Sequence, residues 1–597
     1  MTRRFSSIFG IFAGLAAMGV SKSAHAVDYP ADPIFDFKQI IEEPLDAKLL
    51  EPGEKDNDLG ERDGVIVEKF EFTSMTRDGK PDRVTGLIAY PKGGKNLPAI
   101  FWSQGGMAAA NTYFPRIFAA KGYVCCNVTL DHRVRGSWAK FDAADPKNAN
   151  LTRLATDQMR AITYLSQRPE VDPDRIAVGG ASYGGFFATL IAGADPRIKA
   201  GMSYFAAGHH EMGTNLPQFN GMGSAEEVAT WVKTIDPAWR LTKKKVPFLW
   251  GIASNDNWFH LPAVIKTYEE SIGDKRALIW PQWQHGFPEH VDHALIDWYD
   301  TTLKKERRPY NQAGVLQVKN EGGKLVANWD WTGENPVKKA ELIVAYGRVV
   351  PWRGWVYRHH EIFPATINGN HATAQVPLPE KDLEAYVYAN ITDDKDVIVS
   401  TVPVTVKPAA LGVTAATAPD LVVNGAFYGD FEPVGMQFLA GCLNVDLPAD
   451  TVIKHSGAQS LKVATTDIKK PVGATLKLHH IPEHSHTLKV WLRTDAATTL
   501  RLTVTGPPPA NWKSKAADIQ RRAAEAAAGI DSKDVPEKAQ QFTSDIEVGT
   551  EWKEYTLAVP YDGNLVEGYN LTVKPVAPAA PLTFWVDDLR FEPVWEK

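Results

Sequence analysis

Gly180-Ala181-Ser182-Tyr183-Gly184 is the stretch of this sequence with the clearest chemical content. The apolar run Ile176-Ala177-Val178 leads straight into it, and Phe186, Phe187 and Leu190 follow on a helical spacing. A serine between glycines on a tight strand-to-helix turn is held exposed at the carboxyl edge of a sheet, as a nucleophile must be. Its hydroxyl is a weak nucleophile near neutral pH, so it needs a base, and the base needs an orienting acid. In this arrangement the chain order is serine, acid, histidine. Phe248 to Asp256 is an apolar strand ending in a polar loop, with Asp256 as the acid; Ala277 to Phe287 is the next, with His285 as the base. His260, His290 and His293 are rivals in or near helical segments, whereas Asp274 precedes its strand and would face the wrong end of the sheet. An acyl-transfer intermediate also needs two N–H donors aimed at its oxyanion. The Tyr183 N–H at the helix start is one candidate. The other is Gly105 or Gly106 in Trp102-Ser103-Gln104-Gly105-Gly106-Met107, after an early strand. Such a set carries acyl transfer to water and requires no cofactor for catalysis.

Positioning these residues requires a sheet whose loops converge at one edge. From about residue 66 to 306, apolar runs alternate with helical patterns. The runs are Ala99 to Trp102, Val124 to Leu130, Ile176 to Val178, Phe248 to Ile252 and Ala277 to Trp280. Ala155, Met159, Ile162 and Leu165 make one apolar helical stripe. Continuous apolar strands alternating with helices predict an α/β region with a mostly parallel sheet covered on both faces, over residues 27–306. Residues 307–406 change to short alternating runs separated by Gly and Asn turns, which predicts a small immunoglobulin-like β-sandwich. Lys407 to Pro419, rich in Ala, Thr and Pro, reads as a linker. Residues 420–597 predict a second β-sandwich, of jelly-roll type. An Ala-rich helical insertion near 511–540 follows Pro507-Pro508-Pro509 within it.

At 597 residues the chain is long enough for roughly three or four domains. With 65 basic against 71 acidic residues, the formal charge of −6 gives no support to a nucleic-acid groove. Residues 1–26 read as a signal peptide: Arg3-Arg4, an apolar run from Ile8 to Val20, and a small-residue cleavage site at Ala24-His25-Ala26. The run is too short to span a bilayer, so the mature chain is expected to be periplasmic or secreted, with no membrane span. Arg3-Arg4 also admits a twin-arginine reading, against which polar Ser6-Ser7 stand. Three cysteines, Cys125, Cys126 and Cys442, make neither a disulfide framework nor a zinc site.

Residues of roughly 66 to 303 resemble the α/β-hydrolase superfamily, and within it the prolyl-oligopeptidase-like, acetyl-xylan-esterase-like and dienelactone-hydrolase-like group. The resemblance runs through Gly180 to Gly185, the Asp256 loop, His285-Gly286-Phe287 and the stretch Asp131-His-Arg-Val-Arg-Gly136. It implies Ser182, Asp256 and His285 as nucleophile, acid and base. Members of the group often carry His-Gly at the first oxyanion loop, where Gln104-Gly105 stands here. Gln104, Arg133, Arg135, Trp258 and Trp283 are expected around the pocket, the arginines suited to an acidic group such as a uronate. In the tail, Asn424 to Glu432, His455 to Val463 and Trp585 to Leu589 resemble carbohydrate-binding jelly rolls, which also occur as purely structural appendages. That resemblance implies Glu432 and Asp588 as ligands of a structural calcium. His479-His480, His484 and His486 are expected to be solvated rather than metal-binding. The expected function is a serine hydrolase of carboxylic esters, acting on a small-molecule or polysaccharide ester. A serine peptidase of prolyl-peptidase type and a non-catalytic binding protein on a hydrolase fold are the alternatives. A helical cap of the X-prolyl-dipeptidase kind has little room between Ser182 and Asp256.

Overall fold

A computed structural model describes residues 29–53, 58–77, 79–130, 141–212, 222, 224–287, 291–348, 355, 357–423, 449–506, 539–563, 566 and 568–596. The signal-peptide segment, Arg133 and Arg135, His290, Glu432, Cys442 and the expected helical insertion lie outside the described residues, apart from the last two positions of the 511–540 span.

Ten strands form the first sheet: β1 (Lys48–Leu50), β2 (Gly60–Arg62), β3 (Val65–Arg77), β4 (Lys80–Pro91), β5 (Leu97–Ser103), β6 (Val124–Val128), β7 (Val171–Ala181), β8 (Ile198–Tyr204), β9 (Phe248–Ala253) and β10 (Lys275–Trp280). Their order is β1-β3-β4-β6-β5-β7-β8-β9-β10, with β2 beside β3. From β6 to β10 every pairing is parallel, whereas β1, β3 and β4 form an antiparallel arm. The middle strands are buried over most of their length because both faces are covered. Among the covering helices are α1 (Phe37–Glu42), α2 (Tyr113–Ala119), α3 (Asn150–Ser166) and α4 (Tyr183–Ala194). The expected stripe of Ala155, Met159, Ile162 and Leu165 lies on α3, each at 0% exposure. Arg160 on the same helix is also fully buried. Its guanidinium donates to the carbonyls of Ser74, Ile40, Glu43, Pro44 and Thr73, which ties α1 and β3 to α3. The strand order reverses at the β5–β7 junction, and an open α/β sheet binds its ligands beyond the carboxyl ends of the strands at such a point. The loops after β5 and β7 carry Gln104–Gly106 and Ser182.

Residues 312–406 form two five-stranded antiparallel sheets, one led by Lys324–Thr332 and His371–Val376, the other by Val337–Tyr346 and Ala385–Asp393. One strand of this unit begins only after Val315. Val315 is 77% exposed, and the strand is Gln317–Glu321, whose register follows its partner Lys324–Thr332. This unit covers the open edge of the first sheet: Ile279 N donates to Ser400 Oγ and Ile279 O accepts from Asn390 Nδ2. Side chains thus satisfy the unpaired groups of edge strand β10. The segment Lys407 to Pro419 is packed rather than a free spacer. Thr417 N and Ala418 N donate to Leu378 O, and Val413 is buried.

The C-terminal unit has sheets of five and four strands. Leu488, Val490 and Leu492 alternate inward from one sheet, and Leu500, Leu502, Val504, Leu571 and Val573 from the other. Among the described residues no helix is long and apolar enough to cross a membrane.

The expectation of solvated histidines is overturned. His479, His480 and His486 are 1–3% exposed: Tyr357 and His359 of the middle unit bond to the His480 backbone, Tyr357 packs beside His479, and His486 stacks on Phe591. Burial pushes His480 down to about 4 and holds His360, His479 and His486 well below the usual imidazole range, with Arg358 reinforcing the effect at His360 and His480. These rings are neutral in the fold and take up protons once unfolded. Their contribution is therefore complete above pH ~6.5 and is lost as pH falls toward 4, by about 1.4 kcal/mol per pH unit for each ring. Urea unfolding of the whole chain at pH 7.0 and 5.5 is expected to show a loss larger than one such ring gives. A stability flat across that interval would contradict burial of the cluster.

Candidate active site

β7 ends at Ala181 and α4 starts at Tyr183, leaving Ser182 alone at the corner with φ 57° and ψ −131°. That is a strained conformation for a residue with a side chain, of the kind that persists where the surroundings enforce it. They do so here. Ser182 N donates to Tyr204 O at 2.9 Å, and Ser182 O caps the helix through Phe186 N at 3.0 Å. The turn is so tight that a Cβ on Gly180 would lie 2.4 Å from Gly184.

His285 Nε2 lies 2.7 Å from Ser182 Oγ, and His285 Nδ1 lies 2.8 Å from Asp256 Oδ2. Asp256 is 1% exposed and its other oxygen accepts from Trp258 N at 2.7 Å and Phe259 N at 2.9 Å. The carboxylate is thereby fixed and accepts the Nδ1 proton. The lone pair of Nε2 is left facing the hydroxyl, the tautomer a general base needs. The structure brings the three residues together from the ends of β7, β9 and β10. The imidazole sits between aromatic rings, Phe205 at 5.6 Å and Phe259 at 6.2 Å between centroids, the latter nearly parallel. Phe287 packs on Phe205 in turn.

Of the two glycines, Gly105 is the one against the serine: a Cβ there would lie 3.0 Å from Ala181 O and 3.5 Å from Ser182 Cβ. Gly106 makes the turn possible, with φ 59° inside the short helical turn Gly105–Met107. Tyr183 N opens α4, where the helical ladder supplies no acceptor for its proton. These backbone groups border Ser182 as an oxyanion site requires. Gln104 is 6% exposed, and its Nε2 has no hydrogen-bond partner among the described residues.

The remaining expected residues fall elsewhere. Trp258 packs on the first core. Trp283 lies against the C-terminal unit's core and against the cluster shared by the first sheet and the middle unit, and donates from Nε1 to Gly286 O, so it braces the base loop. His260 is buried, is pushed down to about 4 by burial, and neither of its nitrogens has a hydrogen-bond partner among the described residues. It therefore stands apart from the hydrogen-bonded chain at Ser182. Asp274 is half exposed and paired with Arg276. Asp588 pairs with His455 and accepts from Ser456 Oγ, and Glu432, the other expected calcium ligand, lies outside the described residues. Among the described residues no group of three His, Cys, Asp or Glu side chains is placed to hold a metal ion. Phe205 and Asn255 escaped the sequence reading. Phe205 follows β8, whose apolar run is broken by Lys199, Gly201 and Ser203, and Asn255 carries no pattern beyond standing next to Asp256.

Residues 115–305 match the model of the prolyl oligopeptidase family. Over 134 residues the chain is 31% identical to the thiohydrolase apmlB of Arthrinium phaeospermum, covering 22% of this chain and 41% of that protein. Over 157 residues it is 31% identical to the uncharacterized peptidase YuxL of Bacillus subtilis strain 168, covering 25% of this chain and 23% of that protein. Among solved structures, an acetyl xylan esterase from Paenibacillus sp. R4 aligns with a TM-score of 0.38 at 17% identity, over 46% of this chain and 97% of that one. The chain thus spans well under half the length of the curated relatives it matches.

Proposed function

We propose that this chain, whose N-terminal region is a serine-hydrolase domain of α/β-hydrolase fold, hydrolyses carboxylic esters through an acyl-enzyme on Ser182. The carrying observation is the unbroken hydrogen-bonded chain from Ser182 Oγ through His285 to Asp256, at 2.7 and 2.8 Å. As Oγ attacks the ester carbonyl, His285 Nε2 takes its proton and Asp256 steadies the imidazolium. The amides of Tyr183 and of Gly105 or Gly106 receive the charge on the carbonyl oxygen. The alcohol leaves with the proton held by His285. Water then attacks the acyl-enzyme, giving up a proton to His285, and the acid departs as Ser182 is restored.

An ester on a decorated polysaccharide is the favoured substrate. The sugar-module resemblance of the tail and the export leader support it, and the leader implies work in the periplasm or outside the cell. A peptidase is the second reading, favoured by the match of residues 115–305. Purified protein assayed in parallel on p-nitrophenyl acetate, acetylated xylan, uronate esters and X-Pro anilides separates the two. Ester turnover well above anilide turnover is expected. Anilide cleavage without ester cleavage would overturn the ester assignment, and turnover of neither class would leave the non-catalytic reading standing.

A further inference from the structure

The loop that carries the acid does not close on its own domain alone. Asn255 is fully buried, and its Nδ2 donates to Arg358 O at 2.7 Å and Trp355 O at 3.1 Å, two backbone carbonyls of the middle β-unit. Its Oδ1 accepts from Ser254 Oγ at 2.6 Å, which fixes the orientation of the amide. The backbone N of Asn255 donates to Trp283 O at 2.9 Å, so the acid loop is tied to the base loop two residues before His285.

The anchor itself is held from the far side. Tyr357 O accepts from His480 N at 2.8 Å and His480 O from His359 N at 3.0 Å, so the C-terminal unit grips the same short segment. From that unit Lys477 Nζ also reaches Gln284 Oε1 at 3.4 Å, next to the base. Asp256 needs none of this to shape its own turn, because its Oδ1 already takes the Trp258 and Phe259 amides. Both Nδ2 protons of Asn255 go to another domain instead.

We propose that Asn255 is a positioning residue through which the two β-units set the Asp256–His285 geometry, so that these units belong to the catalytic apparatus rather than decorating it. The proposal rests on the serine-hydrolase reading. A reacting group displaced by about 1 Å loses about 100-fold in rate, so a loosened acid loop acts on turnover and not on substrate capture.

The test compares full-length wild type, Asn255→Asp and Ser254→Ala. The aspartate variant keeps the shape and the acceptor for Ser254 but removes the donor. Active sites are titrated with a fluorophosphonate, kcat and KM are measured on p-nitrophenyl acetate per titrated site, and thermal unfolding is recorded. For Asn255→Asp, kcat per site is expected to fall about 100-fold, with KM within about threefold and labelling slowed in step. Ser254→Ala is expected to show about a tenth of the wild-type kcat. Unchanged kcat per titrated site, with only a smaller folded fraction, would mean a structural role and would overturn the proposal. Should Asn255→Asp lose its cooperative transition, Ser254→Ala decides: a wild-type kcat there overturns it as well. A wild type that is neither labelled nor active refutes the hydrolase reading itself, an outcome separate from a labelled wild type matched by its variants.

Discussion

Ser182→Ala is expected to lower kcat on the best ester by about 10⁴-fold or more, with the melting temperature close to wild type. Among the described residues the hydroxyl's one side-chain partner is His285, at 2.7 Å, so deleting it removes the attacking atom and little else. Alanine meets the same strain as serine at φ 57°, and the backbone bonds to Tyr204 and Phe186 do not depend on Oγ. The oxyanion amides and the aromatic walls around His285 remain. Residual catalysis on the order of 10³-fold over water is therefore compatible with this outcome. Mass spectrometry after fluorophosphonate treatment provides an independent check, with a single adduct on wild type and none on the variant. A variant that keeps more than about a tenth of wild-type turnover, or still takes the adduct, would place the nucleophile elsewhere.

The parts of the site that were legible in the sequence are those where local chemistry and position coincide. A strand buried on both faces writes a continuous apolar run, and a turn in which Gly180 and Gly184 nearly touch excludes anything larger, so Ser182 stood out before any contact was known. Asp256 and His285 were found because each follows such a run. β8 was missed because Lys199, Gly201 and Ser203 interrupt it, although six of its seven residues are buried. β3 and β4 were missed for a related reason: Glu68, Lys69 and Glu71 stand among the apolar residues of β3, and β4 becomes continuously buried only from Gly86. Buried polar residues were the least legible. Arg160, Asn255 and His479-His480 look like surface residues because their acceptors, or the surfaces that cover them, come from distant parts of the chain. The C-terminal unit's grip on the catalytic loops lies wholly in such contacts, so the domain boundaries suggested by composition hide the cooperation between domains.

Gly184→Ala is expected to destabilise the chain by about 3 kcal/mol and to lower activity about 100-fold in whatever remains folded. Two effects compete at this position. Gly184 lies in the first turn of α4, and helix propensity alone favours alanine over glycine by roughly 1 kcal/mol. Against that, a Cβ at 184 would lie 2.1 Å from Ser103 O, 2.8 Å from Ser103 C and 2.9 Å from Gln104 C. All three are backbone atoms at the end of β5, hydrogen-bonded into the sheet beside β7, so no side chain can swing away to make room. Relief requires α4 and the Gln104–Gly105 loop to separate. The same movement carries Gly105 away from Ser182 and opens the oxyanion site, so stability and turnover should fall together. Gly549→Ala is the control, since a Cβ there meets nothing within 4 Å, and its unfolding midpoint should stay near wild type. Urea unfolding followed by circular dichroism, with kcat measured on the folded fraction, reads both effects. If Gly184→Ala is as stable as wild type or more so, propensity has won, and the close approach of the β5 loop to the nucleophile turn is wrong.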